Sequence, residues 1–470
     1  MFTKYPPRSI ILVEKLIVST NIYSKEGLLC GKIYTRVRID LEYKLIRMEV
    51  LMLQNTFLCI DLKTFYASVE CVERNLDPFN TNLVVADQSR GKGAICLAVT
   101  PRMKMLGVKN RCRIYEIPQN IKYIIALPRM KKYIEYSANI YAIYLKYFSK
   151  EDIHVYSIDE AFMDVTKYLK LYKVTPVQLA QIIIKDIYKT YGITATAGIG
   201  TNMYLAKIAL DITAKHSPTN IGYLDEDKYK KELWHHKPLT DFWQIGKGIE
   251  RRLNKLGLYD LYDVAKADPR KLYKEFGVNA EYLIDHAWGK ESCTIEDIKK
   301  YKPQSRCITN SQVLFEDYSF EKARLVLKEM VELGSLRLID ENVTTNTVKL
   351  YVGYSKDEIK ATGGTEKINS YTNVYSDLVS AFLRLYDRTT NRNIGIRRIG
   401  VGFANIQEDE YVQLNLFKNQ DKMDKERKLE LVINKIKNEM GKNAILRGMD
   451  LEQGATTLIR NKLIGGHNGG

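Results

Sequence analysis

The chain has 470 residues, of which 45% are hydrophobic, and a formal net charge of +16 with a pI near 9.2. This length predicts three or four domains of about 100–150 residues, and the basic surplus indicates a polyanionic partner, either nucleic acid or an anionic membrane. The absence of any run of 18 apolar residues excludes an ordinary membrane span, and residues 10–13 are too short an apolar run for a signal peptide. Seven scattered cysteines fit reduced core thiols, not a disulfide framework or a zinc site. We therefore expect a cytoplasmic protein whose partner is nucleic acid.

The first residues with a clear pattern follow a leader of 56 residues that carries no evident chemistry. The apolar run Phe57–Leu62 predicts a buried strand that holds Asp61, and residues 65–72 have the apolar spacing of a helix. Short strands over 83–86 and 94–99 and a basic helix over 102–106 are expected next.

Two adjacent carboxylates, Asp159 and Glu160, stand between two apolar runs, which predicts a strand, an acidic bend and a second strand. Neighbouring acids repel each other, so such a pair is typical of a cation site. Together with Asp61 they make the three-carboxylate set that a pair of Mg²⁺ ions needs for phosphoryl or nucleotidyl transfer. The alternative is a solvated hairpin turn.

The remaining elements before residue 215 complete a mixed α/β core around these acids. Thr175 and Pro176 form a helix entry, a cap followed by proline in the first turn. In chain order, the predictions are a tyrosine-rich helix over 130–148, a helix from Thr175 to Gly192, a strand over 193–199 and a helix over 202–214 that carries Lys207.

A glycine-rich turn, Gly246-Lys247-Gly248, lies between two short helical patterns and predicts a helix-hairpin-helix. Its glycines would let backbone N–H groups approach a phosphate without reading bases. A plain turn between helices is the alternative.

Beyond a polar, basic linker over 296–304, the pattern follows the order of a split β-α-β module, a sheet with two helices on one face. Lys349, Lys360, Arg397 and Arg398 lie in or beside its strands and could form a basic face that follows a phosphate backbone. A solvated strand face is the alternative. The elements are expected at 312–315 (strand), 320–339 (helix), 347–354 (strand), 359–365 (strand), 374–388 (helix) and 397–404 (strand).

The last part of the chain is polar apart from residues 413–417, whose Gln413, Leu414, Leu416 and Phe417 look like a linear docking peptide. A helix start is the alternative. The glycine-rich residues 464–470 are expected to be flexible.

Residues 61–70 (DLKTFYASVE) and 157–162 (SIDEAF) resemble the two signature motifs of Y-family translesion DNA polymerases, in the right order. The helix-hairpin-helix and the β-α-β-β-α-β module look like that family's thumb and little finger. The similarity covers roughly residues 57–417 and leans towards the UmuC-like branch of Gram-positive bacteria, their phages and plasmids.

The resemblance implies an α+β, multidomain, right-hand polymerase with a ferredoxin-like palm. The domains it implies are a leader with an insertion (1–56), the palm (57–64 and 122–215), the fingers (65–121), the helical thumb (216–295), the linker (296–304), the little finger (305–407) and a C-terminal tail with a clamp-binding peptide (408–470).

By motif position, the resemblance makes Asp61, Asp159 and Glu160 the catalytic ligands of two Mg²⁺ ions, with help from the Leu62 backbone carbonyl. Both members of the acidic pair can reach metal only if they lie where the strand bends. Tyr66 resembles the steric gate, a ring under the sugar that leaves room for C2′–H but not for C2′–OH. A core tyrosine at a helix start is the alternative.

The resemblance implies that Phe65, Tyr66, Lys104 and Lys207 bind the nucleotide. Without the resemblance, each of the two lysines would be interpreted as an ordinary solvent-exposed lysine. Many relatives carry a tyrosine in the fingers where this chain has Pro101, and residues 11–56 resemble an insertion before the first palm strand. Gly246, Lys247, Gly248, Lys349, Arg397 and Arg398 would contact DNA.

The function implied is error-prone translesion synthesis by a monomeric, cytoplasmic bacterial enzyme that uses dNTP, primer-template DNA and a sliding clamp, without proofreading. The alternatives are a catalytically impaired DNA- and clamp-binding protein that regulates or competes, and a nuclease or nucleotide cyclase with a similar palm.

Overall fold

The computed structural model describes residues 55–355, 359–409 and 420–470, so nearly all of the leader over 1–56 lies outside the described residues. The described chain forms sheets of five, four, three and two strands with helices packed around them. No helix in these ranges is both long and apolar enough to cross a membrane. Up to residue 224 the elements are β1 (Phe57–Leu62), α1 (Phe65–Val72), β2 (Leu83–Val85), β3 (Ala98–Val99), α2 (Pro101–Met105), β4 (Ile124–Ala126), α3 (Met130–Tyr147), β5 (Ile153–Val155), β6 (Glu160–Asp164), α4 (Thr166–Tyr172), α5 (Pro176–Tyr191), β7 (Ala195–Gly200), α6 (Met203–Ile208) and β8 (Ile221–Leu224).

The five-stranded sheet has the order β5-β6-β1-β7-β8, with β1 antiparallel to both β6 and β7. Its central strand β1 is buried because five of its six residues are apolar. Side chains alternate along a strand, so Leu58 and Ile60 pack towards α3 and α5, whereas Phe57 and Cys59 pack towards α6. Asp61 is two residues after Cys59, so its side chain points to the same side of the sheet as those of Phe57 and Cys59, towards α6.

Helix α6 lies directly against β7 because two strand residues have no side chain. An added Cβ at Gly198 would stand 2.0 Å from the Ala206 carbonyl oxygen, and one at Gly200 would stand 2.2 Å from the Ala206 nitrogen. The helix predicted over 202–214 is present but not uniform. Asn202 caps α6, and the chain then widens into one π turn over Ala209–Thr213.

The capped helix predicted after Thr175 is confirmed. The Thr175 side chain accepts from the Gln178 N–H, Gln178 returns the bond in a capping box, and Gly192 ends the helix with φ 65°.

A small three-stranded sheet, β3-β2-β4, lies in the predicted fingers. Only Ala98–Val99 of the strand predicted over 94–99 forms, and Ile95 instead makes an isolated bridge with Arg113. The glycines before it place the chain in turns, with φ 76° at Gly91.

The helical region after β8 corrects one sequence prediction. Gly246 caps α8, and Lys247 and Gly248 form its first turn. These glycines therefore begin the first of two helices instead of joining the two, and the second predicted helix follows the turn at Gly257, whose φ is 78°. The helices here are α7 (Glu226–Leu233), α8 (Lys247–Lys255), α9 (Leu261–Lys266), α10 (Pro269–Phe276), α11 (Ala280–Ala287) and α12 (Ile295–Lys300).

The predicted β-α-β-β-α-β order is confirmed in the next module, whose four-stranded sheet has the order β11-β10-β12-β9. The helices and the sheet share one apolar core. The third strand begins later and runs further than the predicted 359–365. The elements are β9 (Ile308–Tyr318), α13 (Phe320–Asp340), β10 (Val343–Tyr354), β11 (Thr362–Thr372), α14 (Tyr375–Thr389) and β12 (Ile396–Glu408).

Residues 464–470 are ordered by contacts, so the prediction that they are flexible is wrong. They belong to a two-stranded hairpin that reaches the first half of the chain: Arg90 donates to the Gly466 carbonyl at 2.5 Å, and the Lys131 N–H donates to the Gly469 carbonyl at 2.8 Å. Ile464 packs against the core around β1. The last elements are α15 (Gln420–Met440), α16 (Thr457–Arg460), β13 (Leu463–Ile464) and β14 (His467–Asn468).

The segment just before the hairpin is anchored to α13 by the buried Glu329 carboxylate. This carboxylate accepts hydrogen bonds from the Thr456 N–H and the Thr457 N–H, both at 3.0 Å, and from the Thr456 hydroxyl at 2.8 Å. Arg460 adds an ion pair at 3.9 Å. These bonds fix the path of the chain from the four-stranded module towards the hairpin.

Candidate active site

The three predicted carboxylates meet where β1 ends and β6 begins. Asp61 and Glu160 are direct cross-strand partners, and the Leu62 N–H donates to the Asp159 carbonyl at 2.9 Å. Partners in an antiparallel pair have Cβ atoms about 4.5–5.5 Å apart. The structure thus brings together acids that are 98 and 99 residues apart in the sequence.

The acidic pair lies at a bend, as predicted. Asp159 is in the bend that follows β5, and Glu160 is the first residue of β6. The bend is closed by the N–H groups of Tyr156 and Ser157, which both donate to the Glu160 carbonyl at 3.0 Å. The Ser157 hydroxyl donates to the Asp159 carboxylate at 2.6 Å and so holds that side chain.

The electrostatics of Asp61 show concentrated negative charge. Burial and the Asp159 and Glu160 carboxylates raise the pKa of Asp61 to about 7, although Lys207 and Lys215 oppose the shift. The two neighbouring carboxylates thus add to the effect of burial, and the two lysines oppose it. Charge of this kind, carried by hard oxygen ligands, suits a divalent cation such as Mg²⁺.

Glu160 is held by two side chains on the α6 side of the sheet. The Lys207 ammonium lies 2.8 Å from one carboxylate oxygen and 2.9 Å from the other, and the Cys59 thiol donates at 3.1 Å. Lys207 also pairs with Asp211 at 3.1 Å. Burial lowers the pKa of Lys207, but the Glu160 and Asp211 carboxylates outweigh burial and raise it.

Lys207 is therefore the counter-ion of Glu160 in this structure, and its predicted contact with the triphosphate stays a prediction. Cys59 and Asp211 were missed by the sequence reasoning. The signal for Cys59 was its position two residues before Asp61, which puts both side chains on one face of β1. Asp211, four residues after Lys207, had the spacing of a helical ion pair.

In the part of the chain that the structure describes, no group of three or more His, Cys, Asp or Glu side chains has the arrangement of a metal site. Glu160 is instead engaged with Lys207. A carboxylate offers about four lone-pair positions, so this ion pair leaves acceptor capacity for a cation. The donor chemistry of the three acids fits Mg²⁺, and their role as ligands stays a prediction.

Tyr66 lies beside the acids. It follows Thr64, whose φ of 46° turns the chain into α1, and its half-buried ring stacks on Tyr133 with centroids 4.4 Å apart and planes 16° apart. Burial and the Asp159 carboxylate raise the pKa of the Tyr66 hydroxyl. The structure therefore places an aromatic ring, held by stacking on Tyr133, close enough to Asp159 to interact with it electrostatically.

Phe65 is different, because its side chain is only 2% exposed and packs in the core. The predicted contact between its side chain and a nucleotide is not available in this structure, because a helix-start aromatic at this position turns inward. Only its backbone could meet a nucleotide.

Lys104 lies on α2 and faces the acids. Partial loss of solvent lowers the pKa of its ammonium, whereas the Asp61 carboxylate opposes that shift. Pro101 occupies the first turn of α2 behind the Thr100 cap, where a proline costs no hydrogen bond. Pro101, predicted to stand where many relatives have tyrosine, is thus the first residue of a helix in this chain.

The predicted DNA contacts fall on two exposed surfaces. Gly246, Lys247 and Gly248 are exposed at the start of α8, and an added Cβ at either glycine would meet nothing within 4 Å. Lys349 and Arg398 lie on the open face of the four-stranded sheet, opposite the helices. Lys349 pairs with Gly402 and Arg398 pairs with Gly353, and since residues four apart on a strand point the same way, both side chains are on one face. Arg397, next to a strand irregularity, instead pairs with Asp317 at 3.5 Å.

The predicted clamp-binding residues Gln413, Leu414, Leu416 and Phe417 lie outside the described residues.

Comparison with known proteins agrees with this geometry. The impB/mucB/samB family matches residues 60–211, and the C-terminal domain of that family matches residues 305–416. UvrX of Bacillus subtilis (strain 168), which bears the name of a UV-damage repair protein, is 32% identical over 420 residues, or 88% of this chain and 98% of UvrX. DNA polymerase IV 2 of the same strain is 31% identical over 436 residues, or 89% of this chain and 100% of that protein.

Among solved structures, a Y-family DNA polymerase chimera of Dbh and Dpo4 has a TM-score of 0.59 and 23% identity, over 75% of this chain and 99% of that one. At this identity the likeness shows the fold. The fold is thus that of a right-hand polymerase. The chain belongs to the impB/mucB/samB family, the Y-family DNA polymerases, and is a DNA polymerase by class. The predictions of the family, the fold class and the enzyme class are confirmed.

Proposed function

We propose that this protein is an error-prone translesion polymerase that transfers nucleotides from dNTP to a primer 3′-OH on damaged template DNA, without proofreading. The observation that carries the proposal is the register of β1 and β6, which sets Asp61 against Glu160 and beside Asp159. Three carboxylates at the ends of two paired strands, with a stacked tyrosine next to them, suit nucleotidyl transfer better than DNA binding alone.

Asp61, Asp159 and Glu160 would hold two Mg²⁺ ions, with help from the Leu62 carbonyl. When bound, the ions supply Lewis-acid chemistry, which lowers the pKa of the primer hydroxyl and neutralises the triphosphate and the leaving pyrophosphate. Lys207 limits the negative charge of Glu160, and Lys104, which interacts electrostatically with Asp61, could pair with a phosphate oxygen.

We assign the palm to 57–64 and 122–215, the fingers to 65–121, the thumb to 216–295, the linker to 296–304 and the little finger to 305–407. The tail over 408–470 would carry the clamp-binding peptide at 413–417. The enzyme would be a cytoplasmic monomer whose processivity depends on the sliding clamp.

The direct test is primer extension with Mg²⁺ on an undamaged template and on a template with an abasic site, each with and without the bacterial sliding clamp. We expect synthesis on both templates and longer products with the clamp. DNA binding without any extension would instead support a regulator or competitor. Pyrophosphate release without template would indicate a cyclase.

The Tyr66→Ala change should relax sugar selection. The half-buried ring is fixed against Tyr133, so its removal leaves space where a 2′-hydroxyl would otherwise clash. We expect the ratio of kcat/KM for dNTP over rNTP to fall by at least about tenfold, because a clash that costs the ribonucleotide about 1.4 kcal/mol or more is removed. Single-nucleotide incorporation kinetics measure this ratio. An unchanged ratio would remove the gate role.

The open face of the little-finger sheet should set part of the salt dependence of DNA binding. Each phosphate contact that is lost lowers the slope of log K against log salt by about 1. We therefore expect the K349A/R398A protein to bind primer-template more weakly and with a flatter salt response in fluorescence anisotropy. Arg388→Ala is the matched control, because Arg388 is exposed on α14 beside Glu366. Equal slopes for both variants would exclude this face as the footprint.

A further inference from the structure

The ring of Tyr66 is supported from behind by a buried tyrosine that the mechanism above does not use. We propose that Tyr133 is a positioning residue, which fixes the ring of Tyr66 and thereby sets discrimination between deoxyribose and ribose. The proposal rests on the proposed function, because it requires Tyr66 to be the gate.

The two rings form a close parallel pair. Their centroids are 4.4 Å apart and their planes are inclined by 16°, whereas Phe65 meets each ring at an angle of 47° or more. Tyr133 is 0% exposed, and Tyr66 is half-buried. One ring is thus fully enclosed and provides a flat wall, and the other lies between that wall and the open site.

Tyr133 is fixed by more than packing. Its hydroxyl donates to the Glu70 carboxylate at 2.7 Å. Burial and Glu70 raise the pKa of this hydroxyl, so it stays protonated and remains a donor. Rotation or withdrawal of the ring would break a hydrogen bond to a charged group, a stronger bond than one between neutral groups.

Glu70 is itself immobilised. It is 0% exposed, it accepts from Arg129 at 2.9 and 3.0 Å, and it pairs with Arg74. Burial alone would raise the pKa of Glu70, but the hydrogen bonds from Arg129, Arg74 and Tyr133 outweigh burial and lower it. The carboxylate is therefore a charged, fully bonded anchor on α1, one turn after Tyr66.

This arrangement matters for the sugar because a steric gate works by distance. A gate tyrosine distinguishes C2′–H from C2′–OH only if its ring cannot retreat, and errors of about 1 Å in placement cost about a hundredfold in comparable cases. The aromatic ring that stacks face to face on Tyr66 is that of Tyr133. The depth of the gate is thus set by the wall that Tyr133 and Glu70 maintain.

The experiment compares three single variants by the ratio of kcat/KM for dNTP over rNTP. Tyr133→Phe removes only the hydroxyl and should lower the ratio about threefold, and Tyr133→Leu removes the wall and should lower it about tenfold. Tyr136→Phe is the matched control, because Tyr136 lies on the same helix and donates to Glu73 at 2.8 Å, while its ring packs on Tyr191. The control should keep the wild-type ratio.

A double-variant cycle separates positioning from general structure. If Tyr133 acts through Tyr66, adding Tyr133→Leu to Tyr66→Ala should leave the ratio where Tyr66→Ala put it. The proposal is overturned if Tyr133→Phe and Tyr133→Leu keep the wild-type ratio while Tyr66→Ala lowers it, and the gate role then stands. It is overturned as well if Tyr133→Leu lowers the ratio equally in the Tyr66→Ala background.

If Tyr66→Ala itself has no effect, the gate role fails and the positioning role fails with it. Tyr133→Phe keeps the shape of the core, so the comparison remains decisive even if Tyr133→Leu does not fold. A variant that only loses stability lowers the kcat/KM for both sugars together and leaves the ratio unchanged, which counts against positioning.

Discussion

Asp159→Ala is expected to abolish primer extension while primer-template binding is retained. Asp159 is one of the three acids that meet where β1 ends and β6 begins, and its carboxylate is held by the Ser157 hydroxyl. Loss of a metal-binding carboxylate removes stabilisation of the charge that develops at the phosphate, and we expect the rate to fall by about 10³-fold or more.

The free energy of unfolding should not fall in the Asp159→Ala protein, since the change removes one of the carboxylates that repel Asp61. Gel-based primer extension gives the activity, and anisotropy gives the DNA affinity. Glu151→Ala is the control, since Glu151 is exposed just before β5. Normal synthesis by the Asp159→Ala protein would reject the ligand assignment.

Gly198→Ala is expected to destabilise the fold strongly. The new Cβ would lie 2.0 Å from the Ala206 carbonyl oxygen and 2.3 Å from the Leu210 nitrogen, both of which are backbone atoms that cannot rotate away. Either α6 moves off the sheet or β7 distorts, and overpacking of this kind costs about 1–3 kcal/mol, often more where backbone must move.

We expect a lower midpoint in thermal and urea unfolding and, because α6 carries Lys207, a loss of synthesis as well. Gly93→Ala is the control, as its added Cβ would meet nothing within 4 Å and its φ is not in the left-handed region. Similar midpoints for the two variants would show that α6 adjusts to the extra methyl group.

The residues that sequence alone could place are those governed by local rules. A buried apolar run that ends in an acid identifies Asp61, and an acidic pair between two apolar runs identifies Asp159 and Glu160, because strand alternation and bend geometry depend on neighbours in the chain. The cap at Thr175 was predictable for the same reason.

Contacts between distant parts of the sequence were not predictable. Lys207 reaches Glu160 across 47 residues, and Tyr133 stacks on Tyr66 across 67, so no local pattern reports either contact. Phe65 looked like its neighbour Tyr66, and only the packing of the core separates them. The glycines of β7 did carry a signal, since glycine within a buried strand often marks close approach of backbone.

The glycine-rich hairpin shows the opposite failure. Its composition favours flexibility, but the hydrogen bond from the Arg90 side chain, the backbone hydrogen bond from Lys131 and the Ile464 contact outweigh that tendency.

That hairpin gives the little finger a second attachment. With the linker alone, the module could swing about one pivot. Because the chain returns from α13 to Arg90 and Lys131, a movement of the four-stranded module away from the first half of the chain would break both of those hydrogen bonds and withdraw Ile464 from the core around β1. The distance between the two parts is thus restrained from both ends of the module, and the cleft between them, about 1200 Å³ in volume, has a limited range of widths.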